Sequence, residues 1–341
     1  MKKKWILVAI LLLIVLINPN KIGNLSNILN KKSVELENIK KVNIDKNSNY
    51  VEYNKNLVYY DGNSLKCING SGKEIFDVAF SQKNLKLDSN RFIDILDQDK
   101  NIVYSVDKDG KVVAKKSMNK NGLLYKSIDN DSYLYVYKKD NKNIVNIYDY
   151  EFKLVKSINE KGIVTDIGYS DKSIYVVSIN TEDKLKSTIN CYDYNGNLKN
   201  TKSIDNSVIL DLIIYKNDIY IIEKNKISKV NNELKTLEEF EVKDIKHYSN
   251  IYKNSIYIIE NDNKIKYIYK DIEDIKIYIE NLKGIINTQD SFIIYSDNKI
   301  MDNKGIELKK FDEKIKKILF IPNNMLVVEL ESYIQIINLK S

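Results

Sequence analysis

Between Tyr50 and Ser341 the chain repeats one short pattern about eight times: an apolar run, a polar break, a second apolar run, an Asp-x-x-Gly turn and a third, more polar run. Recurrence at roughly 40 residues is the spacing of a β-propeller blade, and no other feature restricts the fold as tightly. The reading is an all-β chain: a β-propeller of about eight four-stranded blades, with seven as the alternative count, preceded by one N-terminal transmembrane helix. A segment of about 300 residues is too long for one ordinary core, yet it suits a ring of small sheets that each pack only on their neighbours.

Stacking the segments on their turns gives the register. Asn69 to Gly72 aligns with Asp107 to Gly110, Asp193 to Gly196 and Asp302 to Gly305, each with an Asp or Asn three residues before a Gly. The acceptor side chain takes the turn's backbone amides, and Gly adopts the left-handed conformation that a Cβ disfavours. Two copies depart. Asp149 is followed by Phe152 in the glycine position, which predicts a longer or differently shaped turn. Asn231-Asn232 puts an Asn pair in the fifth turn, a mild change because Asn tolerates a left-handed backbone.

Short runs such as Leu57 to Tyr60, Tyr133 to Tyr137 and Ile256 to Ile259 are apolar on both faces, as befits strands held between neighbouring sheets. The segments after the turns, such as Lys73 to Val78 and Asp274 to Ile279, alternate, so they are expected to be outer strands with one wet face. The chain stops after Tyr333 to Leu339 with the last turn and outer strand missing. Residues 34–44 carry alternating apolar side chains, and they are expected to pair with that last strand and close the ring.

Lys2, Lys3 and Lys4 precede an unbroken apolar run from Trp5 to Ile17, ended by Asn18-Pro19-Asn20. The run is short for a spanning helix, so a cleaved signal peptide is the rival. No small-x-small site follows, and snorkelling lysines with Trp5 at the interface extend the effective span. The expectation is therefore a membrane anchor over residues 1–20, a tether over 21–33 and a propeller over 34–341. The protein would sit in the cell membrane as a single-pass chain, N-terminus cytoplasmic and propeller outside.

Cys67 and Cys191 occupy the same register position in units one and four, which places them on separated blades, too far apart for a disulfide. His247 is the only histidine, so any Ser-His-Asp triad would have to use it and multi-histidine metal sites are excluded. No Walker or dinucleotide-binding glycine pattern occurs, and no catalytic, cofactor or metal site is assigned. The clusters Asp94-Asp97-Asp99, Asp107-Asp109 and Asp129-Asp131 lack the spacing of a calcium loop and fall where turns are expected. Formal net charge is +7; setting aside Lys2, Lys3 and Lys4 leaves +4, dispersed over the whole domain. That reads as a solvated surface, with weak attraction to anionic wall polymers or lipid headgroups as the sharper alternative. Nucleic acid is not an expected partner outside the membrane.

The stretch from Leu57 to Phe76 resembles a blade of the quinoprotein (pyrroloquinoline-quinone-like, WD40-like) propellers, whose repeats end in an Asp, a Gly-Lys and an aromatic; Asn69, Gly72, Lys73 and Phe76 occupy those places. Trp5 is the only tryptophan and lies in the anchor, so the resemblance implies the scaffold without a quinone cofactor. The whole chain resembles an uncharacterised domain-of-unknown-function family (5711) of membrane-anchored propellers from low-GC Gram-positive bacteria, which implies no known activity. Two functional classes follow. One is a non-enzymatic scaffold, a monomeric propeller anchored through residues 5–17 that presents a face to a protein or to an anionic cell-wall polymer. The other is an envelope carbohydrate-active or hydrolytic enzyme using carboxylates near the propeller axis, for which Asp94 and Asp211 are the inner-strand candidates.

Overall fold

The computed structural model describes residues 35–43 and 49–340 apart from positions 130–131, 141, 171–172, 183, 216–217, 252–253, 270, 278, 289–290 and 323. The expected anchor and tether lie outside the described residues; among those described, no helix is long and apolar enough to cross a membrane.

The strands form eight four-stranded antiparallel sheets. Seven are consecutive meanders over residues 50–79, 85–117, 122–160, 163–205, 209–241, 245–275 and 284–310, here blades 1 to 7. Blade 8 takes three strands from 317–340 and its outer strand from the other end of the chain: Glu35–Val42 pairs with Ile334–Lys340, from Glu35 opposite Lys340 to Val42 opposite Ile334. Each blade's first strand lies innermost, and contacts between successive first strands define the axis.

The second strand of each blade is apolar on both sides because each side meets another sheet. Leu57, Val58, Tyr59 and Tyr60 are all buried, as are Ile174 to Val177. The buried side chains sort into eight clusters, one for each pair of adjacent blades. Val58 and Tyr60 meet Ile93 and Ile95, for example, and Tyr50 and Leu57 of blade 1 meet Val327 and Ile336 of blade 8. With each fully buried aliphatic side chain contributing about 1.5–3 kcal/mol, stability is distributed around the ring.

In blades 1 to 5 and 7 the turns before the outer strands share one geometry. In blade 2 the Asp107 amide donates to the Lys111 carbonyl at 3.0 Å and Gly110 donates back to Asp107 at 3.1 Å. Asp107 Oδ1 accepts from the amides of Asp109 and Lys111 at 3.0 and 2.9 Å. Blade 3 makes the same turn with Phe152 in the glycine place, at φ 58°, so the expected change of turn shape does not occur. In blade 5 Leu234, not an asparagine, takes the left-handed position at φ 61°. The reason lies in the preceding blade. A Cβ on Gly110 would stand 2.6 Å from Val78, and one on Gly72 2.5 Å from Ile39. Between blades 2 and 3 the buried Phe152 packs in one cluster with the small Ala114 of blade 2, its ring 4.5 Å from Tyr133 and nearly parallel to it. Leu234 is likewise buried between blades 4 and 5.

This fixes the sign of a substitution. Phe152→Gly relieves a left-handed backbone worth about 1–2 kcal/mol but forfeits about 3–5 kcal/mol of buried aromatic. A net loss of about 2–3 kcal/mol in urea unfolding is expected, and a stabilised variant would contradict the account.

The outer strand of blade 6 is Ile272–Ile275, earlier and shorter than the expected Asp274 to Ile279. Its turn is tighter, closed by Tyr269 donating to Asp271. Ile277 and Ile279 then pack between blades 6 and 7 instead of continuing the sheet. Cys67 and Cys191 stand in the third strands of blades 1 and 4, both buried with free thiols, and burial pushes the Cys67 thiol up to about 12.

Candidate functional site

Because every blade runs the same way, the ring has two chemically different faces. The hairpins from first to second strand and the tight turns lie on one, the turn face; the connections between blades lie on the other, the loop face. The innermost strands descend from the loop face and wall the channel.

That wall is fastened by side chains reaching one blade onward. Asn49 brackets the Leu87 backbone, accepting its amide at 2.6 Å and donating to its carbonyl at 2.8 Å. Asp88 Oδ2 accepts the Ser127 amide at 2.8 Å, and Lys126 Nζ donates to the Ile167 carbonyl at 2.7 Å. Tyr248 donates to Asp211 Oδ2 at 2.8 Å, and Asn250 brackets Asn287 at 3.0 and 3.2 Å. Polar groups on a half-buried wall need such partners, and the repeat supplies each from its next copy.

The two carboxylates expected near the axis are not brought together. Asp211 is in the wall of blade 5, with both oxygens occupied: the Leu212 amide donates to Oδ1 at 2.8 Å and Tyr248 holds Oδ2. Asp94 lies behind the wall, 0% exposed on the second strand of blade 2, its Oδ1 accepting from Ser105 Oγ at 2.6 Å. Burial, reinforced by the charge of Asp88 directly across the strand pair, pushes Asp94 up to about 7.

Asp166, in blade 4, was missed by sequence reasoning. It neighbours Asp211 one blade away, burial and the Asp211 charge push it up, and Lys126 and the Ile167 amide hold it down. Its signal was present, since Asp166 and Asp211 each stand one residue past a β-bulge in successive units. Facing carboxylates suit acid–base chemistry only when free to meet a substrate, and these serve the wall.

His247 sits half-buried on the innermost strand of blade 6, an edge strand of its sheet, with Nε2 3.3 Å from the Ile285 carbonyl, and burial lowers its pKa from the usual imidazole value. Of the acidic clusters, Asp97 and Asp107 serve turns, Asp97 Oδ1 accepting from the amides of Asp99 and Lys100 as Asp107 Oδ1 does from those of Asp109 and Lys111, whereas Asp94 and Asp129 stand on strands, against expectation, and Asp131 lies outside the described residues. Among the described residues no group of three or more His, Cys, Asp or Glu is placed to hold a metal.

Among the described residues, two open recesses lie near this ring. One, about 370 Å³ on the turn face, is lined by Glu52, Tyr53 and Ser89, with Glu52 accepting the Lys55 amide. The other, about 350 Å³ between blades 6 and 7, includes Asp297, which pairs with Lys283 at 2.6 Å.

The loop face carries a feature of another kind. At the start of the innermost strands of blades 3, 4 and 5, Leu123, Ile163 and Leu210 stand 48–62% exposed, with Val208 and Leu185 on the same face. Leu123 and Leu210 occupy bulges, each an extra residue turned out of the ladder. Leu123 and Leu210 on equivalent bulges, with Ile163 two residues before the corresponding bulge of the blade between them, form an apolar rim at the channel mouth that nothing among the described residues covers. The sequence held a trace of it in the doubled apolar residues Leu123-Leu124 and Ile209-Leu210, which break strand alternation.

No family model and no curated relative matches this sequence. Solved structures do match in shape. BamB from Moraxella catarrhalis has a TM-score of 0.61 at 8% identity, over 89% of this chain and 99% of that one. Sqt1 from Saccharomyces cerevisiae has 0.56 at 10% identity, over 92% and 99%. Virginiamycin B lyase from Staphylococcus aureus, crystallised in an inactive form with quinupristin, has 0.52 at 12% identity, over 90% and 100%. What this chain shares with all three is the propeller fold.

Proposed function

We propose that this protein is a membrane-tethered scaffold. Residues 5–17 hold it in the bilayer with the N-terminus cytoplasmic, residues 21–33 form the tether, and the propeller stands outside the membrane. Its loop face receives a protein partner on the apolar rim of Leu123, Ile163 and Leu210. The observation that carries this reading is the exposure of those three side chains near the loop-face ends of the innermost strands of adjacent blades, beside channel-wall carboxylates already engaged in holding the ring. An exposed aliphatic cluster gains free energy only when covered, whereas a hydrogen-bonded carboxylate gives little by leaving its partners. The likeness to BamB and Sqt1 supports the scaffold, and the likeness to a lyase keeps the enzymatic alternative in view.

Ile163→Glu with Leu210→Glu places two charges on the rim without touching the core. Partner retention by the full-length protein in isolated envelopes is expected to fall at least about tenfold, with the melting temperature within a few degrees of the parent. Unchanged retention with intact folding would refute the proposed face.

A further inference from the structure

The exposed apolar side chains of the outer strands are not scattered. Ile75, Val113, Leu154, Leu198, Leu237 and Ile306, from blades 1, 2, 3, 4, 5 and 7, stand 45–59% exposed. Each lies in the first two residues of an outer strand or immediately before it, next to the tight turn. Among the described residues no large aliphatic in the second half of an outer strand is comparably exposed. A composition bias toward Ile and Leu would spread along the strands; confinement to one edge in six blades selects a position. The edge is that of the turn face, opposite the rim at the channel mouth.

The chain outside the described structure leaves from the same edge. Glu35–Val42 replaces the outer strand of blade 8 and, like every outer strand, starts at the turn face. The 34 preceding residues, with their apolar run from Trp5 to Ile17, are therefore joined to the ring at the edge that carries the aliphatic belt. Residues 18–34 span at most about 60 Å when extended, so a propeller held by them stays within reach of the bilayer, at high effective concentration.

We propose that the turn face rests on that lipid bilayer, with the belt entering the boundary between headgroups and acyl chains and the loop face directed away toward its partner. This rests on the membrane-tether reading and adds the orientation. Lys73, Lys111, Lys153 and Lys235 precede the belt residues, placed to lay their stems along it with ammonium groups at the headgroups. Lys153 and Lys235 are paired within their own turns, to Glu151 at 2.6 Å and Glu233 at 2.8 Å. Contact is therefore carried by apolar insertion and not by net charge, and it persists in salt.

The test uses the full-length chain with Trp5→Phe, which clears the only native indole, in vesicles of brominated phosphatidylcholine. Leu198→Trp puts a reporter in the belt, Leu154→Trp repeats it in the preceding blade, and Leu210→Trp puts one on the loop face. The two belt reporters are expected to lose about half or more of their emission, at low and high salt alike, as side chains inserted 5–10 Å into the boundary would; the loop-face reporter should keep its emission. Belt reporters quenched no more than the loop-face one would overturn the orientation. Carbonate extraction of the same vesicles separates the two ideas: a chain released to the supernatant refutes the tether itself, whereas a retained chain with unquenched belt reporters refutes only the docking.

Discussion

Removing residues 34–44 is expected to lower the melting temperature of the propeller by on the order of 10 °C, through a loss of on the order of 5 kcal/mol. Those residues include the outer strand of blade 8. Their deletion strips the ladder partner from Ile334–Lys340 and uncovers apolar surface on both sides of the blade, where Val42 and Ile39 pack toward blade 1 and Leu36 toward blade 7. It also leaves a long apolar edge, since Ile334, Ile336 and Ile337 are all 0% exposed in the closed ring, and such an edge invites pairing with another chain. Soluble aggregates should accompany the destabilisation. Val42→Asp, which places a charge in the same cluster without shortening the chain, should give a smaller shift of the same sign. Differential scanning calorimetry of the three proteins decides the matter, and a deletion that melts with the parent would show that the ring closes without this strand.

The second large effect concerns Asp94. Its pKa rises from 3.8 in the unfolded chain to about 7 in the fold, because the folded site excludes water and faces Asp88. For an acid with a raised folded pKa, the folded state binds the extra proton between those two values. Its contribution to stability is therefore complete below about 3.8, is lost as pH rises to about 7, and is constant above. The rise corresponds to on the order of 4 kcal/mol. Asp94→Asn keeps an oxygen to accept from Ser105 and removes the titration, and its amide can donate to the buried Tyr125 hydroxyl on blade 3. The variant should match the parent near pH 4 and exceed it at pH 8 by up to about 4 kcal/mol in urea unfolding. Asp166, also pushed up by burial, acts alike in both proteins and cancels in the difference, whereas Asp88 faces Asp94 and titrates with it, so the difference reads the pair. A gap that does not change with pH would mean that Asp94 is charged and solvated in the fold.

What the sequence made legible was whatever one repeat determines by itself. Strand order, the Asp or Asn that opens the turn in blades 1 to 5 and 7, and the double-sided burial of second strands are local consequences of residue type, and the recurrence of the repeat reinforces them. What it concealed depends on the adjoining blade. Phe152 and Leu234 look like poor turn residues until the space beside Ala114 and between blades 4 and 5 is seen. Asp94 and Asp211 read alike in apolar strands, yet one stands behind the channel wall and the other in it, because second and innermost strands differ in what lies beside them. The exposure of Leu123 and Leu210 was hidden because a single bulge reverses which side a residue faces. Asp166 fell between these cases: its spacing was readable, its depth was not.

The proposed function puts a protein partner on the loop face in place of a reaction. A photo-activatable amino acid at Ile163 or Leu210, installed in the full-length protein in intact cells, is expected to give one discrete protein adduct after irradiation. The same residue at Ile306 on the turn face should give none of that species, and Leu123→Glu should abolish it. Absence of any adduct from the loop face, together with hydrolysis of a wall glycan by the purified protein that Asp166→Asn and Asp211→Asn eliminate, would contradict it.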